Sequence, residues 1–158
     1  MKKKYLIIHC SATRCSRAYT PEQLDADHRA RGFRCAGYHY YIRRNGDIVR
    51  MRPETEIGAH AKGYNENSIG ICYEGGLNEK GKPSDTRTKE QRNALDFLLD
   101  ILVCRYPGVQ IVGHRDLSKD RNGDGEITPD EWEKYCPCFH VKREYARLND
   151  LSKMLAGV

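Results

Sequence analysis

Two short apolar runs, Tyr5-Leu6-Ile7-Ile8 and Val109-Gln110-Ile111-Val112, lie far apart in the chain, and each stops at a histidine: His9 directly, His114 after one glycine. Runs this short and rich in β-branched residues read as strands rather than helices. They constrain the fold because distant strands that alternate with helices imply an α/β layered domain.

The intervening sequence supplies those helices. Thr20-Pro21-Glu22-Gln23 offers an N-cap, a proline at the first helical position and an acid in the first turn, opening a helix that Gly32 ends. From the N-cap Thr88, the positions Leu95, Leu98, Leu99, Leu102 and Val103 recur at helical spacing until Tyr106-Pro107-Gly108. Tyr38–Ile42 and Asp47–Met51 flank Arg43-Arg44-Asn45-Gly46, whose Asn-Gly predicts an antiparallel hairpin. Ser68–Tyr73 predicts a further strand, and Val141 to about Leu155 a closing helix. The expected fold is therefore α/β: a single domain over residues 1–158, with a central mixed β-sheet flanked by helices.

Composition narrows the function classes. No apolar run approaches the roughly 18 residues of a membrane span. Lys2-Lys3-Lys4 before Tyr5–Ile8 imitates a signal peptide, but His9 closes the apolar stretch well short of the ~7 to 15 residues of an h-region. Mature sequence, made in the cytoplasm without a signal peptide, is the expectation. Seven cysteines, an odd number, argue for free or ligating thiols rather than a disulfide framework. The net charge of +5 suits an anionic partner. Basic residues are scattered among acids without interleaved aromatics, so nucleic acid is not expected.

His9 and His114 both fall where an α/β sheet exposes side chains to a cleft. A catalytic zinc takes three protein ligands and keeps one position open, and imidazole and thiolate are preferred donors. The third would come from Lys134-Tyr135-Cys136-Pro137-Cys138-Phe139, with either thiol in reach. Cys10 follows His9 directly and should face the other side of its strand, as a packed thiol. A histidine after a strand is ordinarily a hydrogen-bonded core or surface residue, so spacing alone leaves both readings open.

Longer motifs add to this. HCSAT at 9–13, GYHYYIRRNG at 37–46, GAHAKGYNENSIGICYEGG at 58–76, GHRDL at 113–117 and KYCPCFHVKR at 134–143 occur in that order. Together they resemble the zinc-dependent N-acetylmuramoyl-L-alanine amidases of the type 2 family, which includes phage lysozyme-like amidases and peptidoglycan recognition proteins. The resemblance runs from about Tyr5 to Leu148. It implies hydrolysis of the amide joining N-acetylmuramic acid to L-alanine in peptidoglycan, with His9, His114 and Cys136 as zinc ligands and Tyr38 and Lys134 as catalytic residues. His60 and Asn65 would line the substrate groove. The family pattern favours Cys136 over Cys138, and relatives that only bind peptidoglycan characteristically lack that cysteine.

The chemistry accords with these residue types. Zinc polarises a carbonyl and brings the pKa of its water to about 7. A thiolate ligand leaves the centre a weaker Lewis acid, so a cation such as Lys134 beside the developing oxyanion would compensate, and Tyr38 could orient water or donate to the intermediate. No HExxH motif is present.

One segment departs from the family. At about 118–133 an EF-hand-like insertion places Asp120, Asn122, Asp124, the Glu126 carbonyl, Thr128 and Glu131 at calcium-loop positions 1, 3, 5, 7, 9 and 12, with Gly125 at 6. Calcium is thus a second candidate cofactor. The competing reading is a solvated acidic turn in which Thr128-Pro129 caps a helix over PDEWEKY. The chain is expected to be a monomer that acts on the cell wall after release or delivery, with binding weakened by salt. Two other classes remain: a non-catalytic peptidoglycan-binding module, and a calcium-stabilised interaction protein with a closed structural zinc.

Overall fold

A computed structural model describes residues 2–157; Met1 and Val158 lie outside them. The strand that ends on His9 is β1, Tyr5–Cys10, and it occupies the interior of a five-stranded sheet. The others are β3 (Tyr40–Ile42), β4 (Ile48–Arg50), β5 (Ser68–Tyr73) and β7 (Gln110–Gly113), in the order β4-β3-β5-β1-β7. β1 runs parallel to both β5 and β7, whereas β3 and β4 form the antiparallel hairpin that Asn45-Gly46 predicts. The sheet is therefore mixed. A short pair, β2 (Thr13–Arg14) with β6 (Gly76–Leu77), continues past the carboxyl ends of β1 and β5.

Alternation along β1 separates two environments. Leu6, Ile8 and Cys10 enter the main core, where α2 (Lys89–Arg105) contributes Leu95, Leu98, Leu99, Leu102 and Val103. Ile7 faces the other way, into a small cluster with Ala61 and Val112. On this second face α1 (Pro21–Ala30) packs Leu24 near Tyr41 and Cys72. Both long-range helices begin in capping boxes, Thr20 with Gln23 and Thr88 with Gln91. Buried Gln91 also donates through Nε2 to the carbonyl of Glu74 at 2.9 Å, tying the helix start to the end of β5.

Three elements differ from expectation. The strand expected from Tyr38 starts at Tyr40, because the His39 imidazole leaves the ladder pattern to accept from Gly70 N–H and to meet the Glu56 carbonyl. The closing helix is broken at Tyr145 into α3 (Val141–Glu144) and α4 (Ala146–Gly157). There the Tyr145 hydroxyl reaches across to Asp96 on α2 at 2.7 Å. The helix over PDEWEKY does not form. Pro129–Glu131 is one 3-10 turn, after which Trp132 is extended and lies against the Arg115 guanidinium, 3.7 Å from its ring centroid.

Candidate active site

His9 lies on the second face of β1, near its carboxyl end, and is only 1% exposed. β7 delivers His114 one residue past its end, and the rings of His9 and His114 approach to 4.6 Å between centroids. The third group comes from the segment after the insertion, which three contacts hold in place. Cys10 N–H donates to Cys136 Sγ at 3.3 Å, Arg115 N–H to the Cys136 carbonyl at 2.9 Å, and the Tyr73 hydroxyl to the Pro137 carbonyl at 2.5 Å. One donor atom each from His9, His114 and Cys136 then lie within 4.8 Å of one another.

That set fits zinc on chemical grounds. Imidazole nitrogen and thiolate sulfur are the donors zinc prefers, and three of them are the number a catalytic site takes. Burial also keeps the imidazoles neutral, as ligands must be. Desolvation holds His9 well below its ordinary range, and desolvation with the Lys134 charge brings His114 down to about 4. The other thiol of Cys-Pro-Cys points elsewhere, with Cys138 Sγ directed at the Gly76 carbonyl, 3.4 Å away. Cys10 packs in the main core as expected, its thiol pushed up to about 12 by the Cys136 contact and by burial.

Two adjoining cavities, of about 230 and 240 Å³, open beside the cluster and share His60, His114 and Lys134 in their walls. Lys134 is exposed on a loop rather than a helix. Tyr38 closes the opposite side, its ring 5.0 Å from that of His9. Desolvation raises the Tyr38 hydroxyl well above its ordinary range, so it keeps its proton and acts as a donor. The preceding residue is fixed from two sides: Gly37 N–H donates to His28 Nδ1 at 2.8 Å, and Ala59 N–H to the Gly37 carbonyl at 3.0 Å.

His60 borders both cavities, but its ring nitrogens face inward, Nδ1 to His9 Nε2 at 2.9 Å and Nε2 to Ser68 Oγ at 3.2 Å. Asn65 borders neither. Its side-chain oxygen accepts from the N–H groups of His60 and Ala61 at 2.8 and 2.9 Å, so it shapes the turn that carries His60. Sequence reasoning missed His28, a buried group in the cavity wall beside Tyr38. Its only local signal is a histidine on the inward face of α1, which also suits plain packing.

The insertion closes on itself. Both Asp120 oxygens accept from loop N–H groups, those of Gly123 and Gly125. Glu131 accepts from Arg121 and Asn122 through Oε1 and from Thr128 through Oε2. Asp124 accepts from Glu126 N–H and the Asn122 amide. These carboxylates do not gather into a donor cluster; among the described residues the cluster found is His9, His114 and Cys136.

Two imidazoles at strand ends and a thiol from the neighbouring loop, open on one side to a groove with a lysine and a tyrosine, form a set that could hold a metal ion on an α/β scaffold. Comparison with known proteins identifies the family. Residues 1–137 match the family model described as N-acetylmuramoyl-L-alanine amidase. The endolysin of Enterobacteria phage T3 is 36% identical over 138 residues, which cover 87% of this chain and 82% of its own. Among solved structures, N-acetylmuramoyl-L-alanine amidase LysC from Clostridium intestinale URNW aligns with a TM-score of 0.72 and 29% identity, covering 94% of this chain and 86% of that one. Drosophila PGRP-LB shares the fold, with a TM-score of 0.68 at 24% identity over 92% of this chain and 80% of its own. The chain belongs to the N-acetylmuramoyl-L-alanine amidase family.

Proposed function

We propose that the chain hydrolyses the amide between N-acetylmuramic acid and L-alanine of peptidoglycan, with zinc held by His9, His114 and Cys136. The convergence of two neutral imidazoles and a thiol at the centre of the groove carries this reading. When bound, zinc supplies a Lewis acid for the scissile carbonyl and an acidified water as nucleophile. Lys134 stands in the groove wall beside His114, where its ammonium offsets negative charge as the carbonyl oxygen becomes anionic. Tyr38, which retains its proton, donates a hydrogen bond to the same tetrahedral species. The Cys10 N–H orients the sulfur of Cys136.

Residues 1–158 are read as one amidase domain, with 118–133 as an insertion that sets the path from His114 to Cys136. No helix of the described residues is long and apolar enough to cross a membrane, and the basic chain acts on the wall after release or delivery.

The test is peptide release from purified peptidoglycan by zinc-loaded protein, with the products identified by mass spectrometry. Free stem peptides beginning at L-alanine, lost in His9→Ala and Cys136→Ala, are expected. Tight binding of muropeptide without any release would make the chain a recognition module instead.

A further inference from the structure

The His60 ring lies in a slot that the backbone keeps clear for it. A Cβ built on Gly70 would stand 2.7 Å from His60 Cγ and Cδ2 and 2.8 Å from Nδ1, and one on Gly58 would stand 2.7 Å from Cδ2. Asn65 fixes the backbone of the same residue through its N–H. With ring and backbone both held, Nδ1 is presented to His9 Nε2 and Nε2 to Ser68 Oγ, which is fully buried. Both ring nitrogens are thereby engaged inside the protein, leaving neither for a substrate.

We propose that His60 is a positioning residue for His9, and that Ser68 holds the far nitrogen of His60 in place. Because His9 Nε2 is committed to His60, Nδ1 is the nitrogen left to bind a metal. Nδ1 has a free lone pair in the neutral ring only if the proton sits on Nε2. His9 must then donate to His60 Nδ1, which places the His60 proton on Nε2, where Ser68 Oγ accepts it. Run in the other direction, the chain would put the His9 proton on Nδ1 and block ligation. The arrangement is the histidine counterpart of the carbonyl or carboxylate that ordinarily holds the far nitrogen of a ligating imidazole.

This inference rests on the zinc reading of the cluster, so its test measures metal affinity rather than turnover. Zinc binding to wild type, His60→Ala, His60→Asn and Ser68→Ala would be measured by competition with a chromogenic chelator, with melting temperatures of the metal-free proteins alongside. His60→Ala is expected to bind zinc about 10- to 100-fold more weakly. In His60→Asn the side-chain oxygen takes the place of Nδ1 as acceptor, so affinity should return to within about threefold of wild type, and Ser68→Ala should fall between. Unchanged affinity in His60→Ala, with a raised KM for muropeptide, would overturn the proposal and make His60 a groove residue. If His60→Ala fails to fold, the other two variants decide: Ser68→Ala at wild-type affinity with His60→Asn weakened also overturns it. A wild type that binds no zinc would instead remove the cluster reading itself.

Discussion

The N–H of Cys10 donates to the Sγ of Cys136 at 3.3 Å, across 126 residues of sequence. The strand that carries His9 thus also orients the thiol opposite it, and one backbone unit serves two members of the cluster. Cys136→Ala should abolish tight zinc binding and peptide release together. Cys138→Ala, whose thiol faces the Gly76 carbonyl, should keep both, as read by chelator competition and by product analysis. Loss of zinc in the Cys138 variant alone would reverse the assignment.

Lys134 is exposed, and the proposed mechanism gives it a role in charge rather than ligation. Lys134→Met should lower kcat by about 10²- to 10³-fold, the usual effect of removing one group that stabilises an oxyanion, while leaving zinc affinity near that of wild type. Tyr38→Phe should act in the same sense by a smaller factor. Steady-state kinetics on soluble muropeptide would separate the two, and an effect confined to KM would contradict the role given to Lys134.

Gly37 has no room for a side chain. A Cβ there would stand 2.1 Å from the Ala59 carbonyl oxygen and 2.8 Å from its carbon, both backbone atoms in the turn that carries His60. Gly37→Ala should cost about 3 kcal/mol, at the upper end of overpacking effects, because neither segment can yield without moving Tyr38 or His60. Urea denaturation would measure it, and a change below 1 kcal/mol, small on the same scale, would mean that the turn gives way freely.

The histidines make stability depend on pH with a definite sign. Burial brings His60 down to about 3, and burial with the Lys134 charge brings His114 down to about 4, against about 6.5 in an unfolded chain. Between these values the unfolded state binds more protons, so stability is full above pH 6.5 and falls as pH drops below it. Carboxylates titrate lower, near 4, so the window from about pH 6.5 to 5 isolates the imidazoles. Melting temperatures of the metal-free protein should fall across it, and less so in His60→Asn. A flat profile would sink the argument.

The parts of the fold that were legible in the sequence are those fixed by neighbours in the chain. Thr20 and Thr88 cap helices with glutamines three residues on, and Asn45-Gly46 turns the hairpin, because the partners of each signal are adjacent. The breaks at Tyr145 and Trp132 were not legible, since Asp96 and Arg115 draw those side chains away from helical continuation and both lie far off in sequence. The site divides in the same way. His9 and His114 could be placed from strand ends alone, whereas the choice between Cys136 and Cys138 depends on the N–H of Cys10, and the inward aim of His60 depends on Gly70 and Ser68.

The position of β1 between β5 and β7 has a consequence for how the protein is made. During synthesis β1 has to wait for both β5 and β7, and Cys136 is the last member of the cluster to be made. A polypeptide released before that point carries a groove wall but no assembled centre.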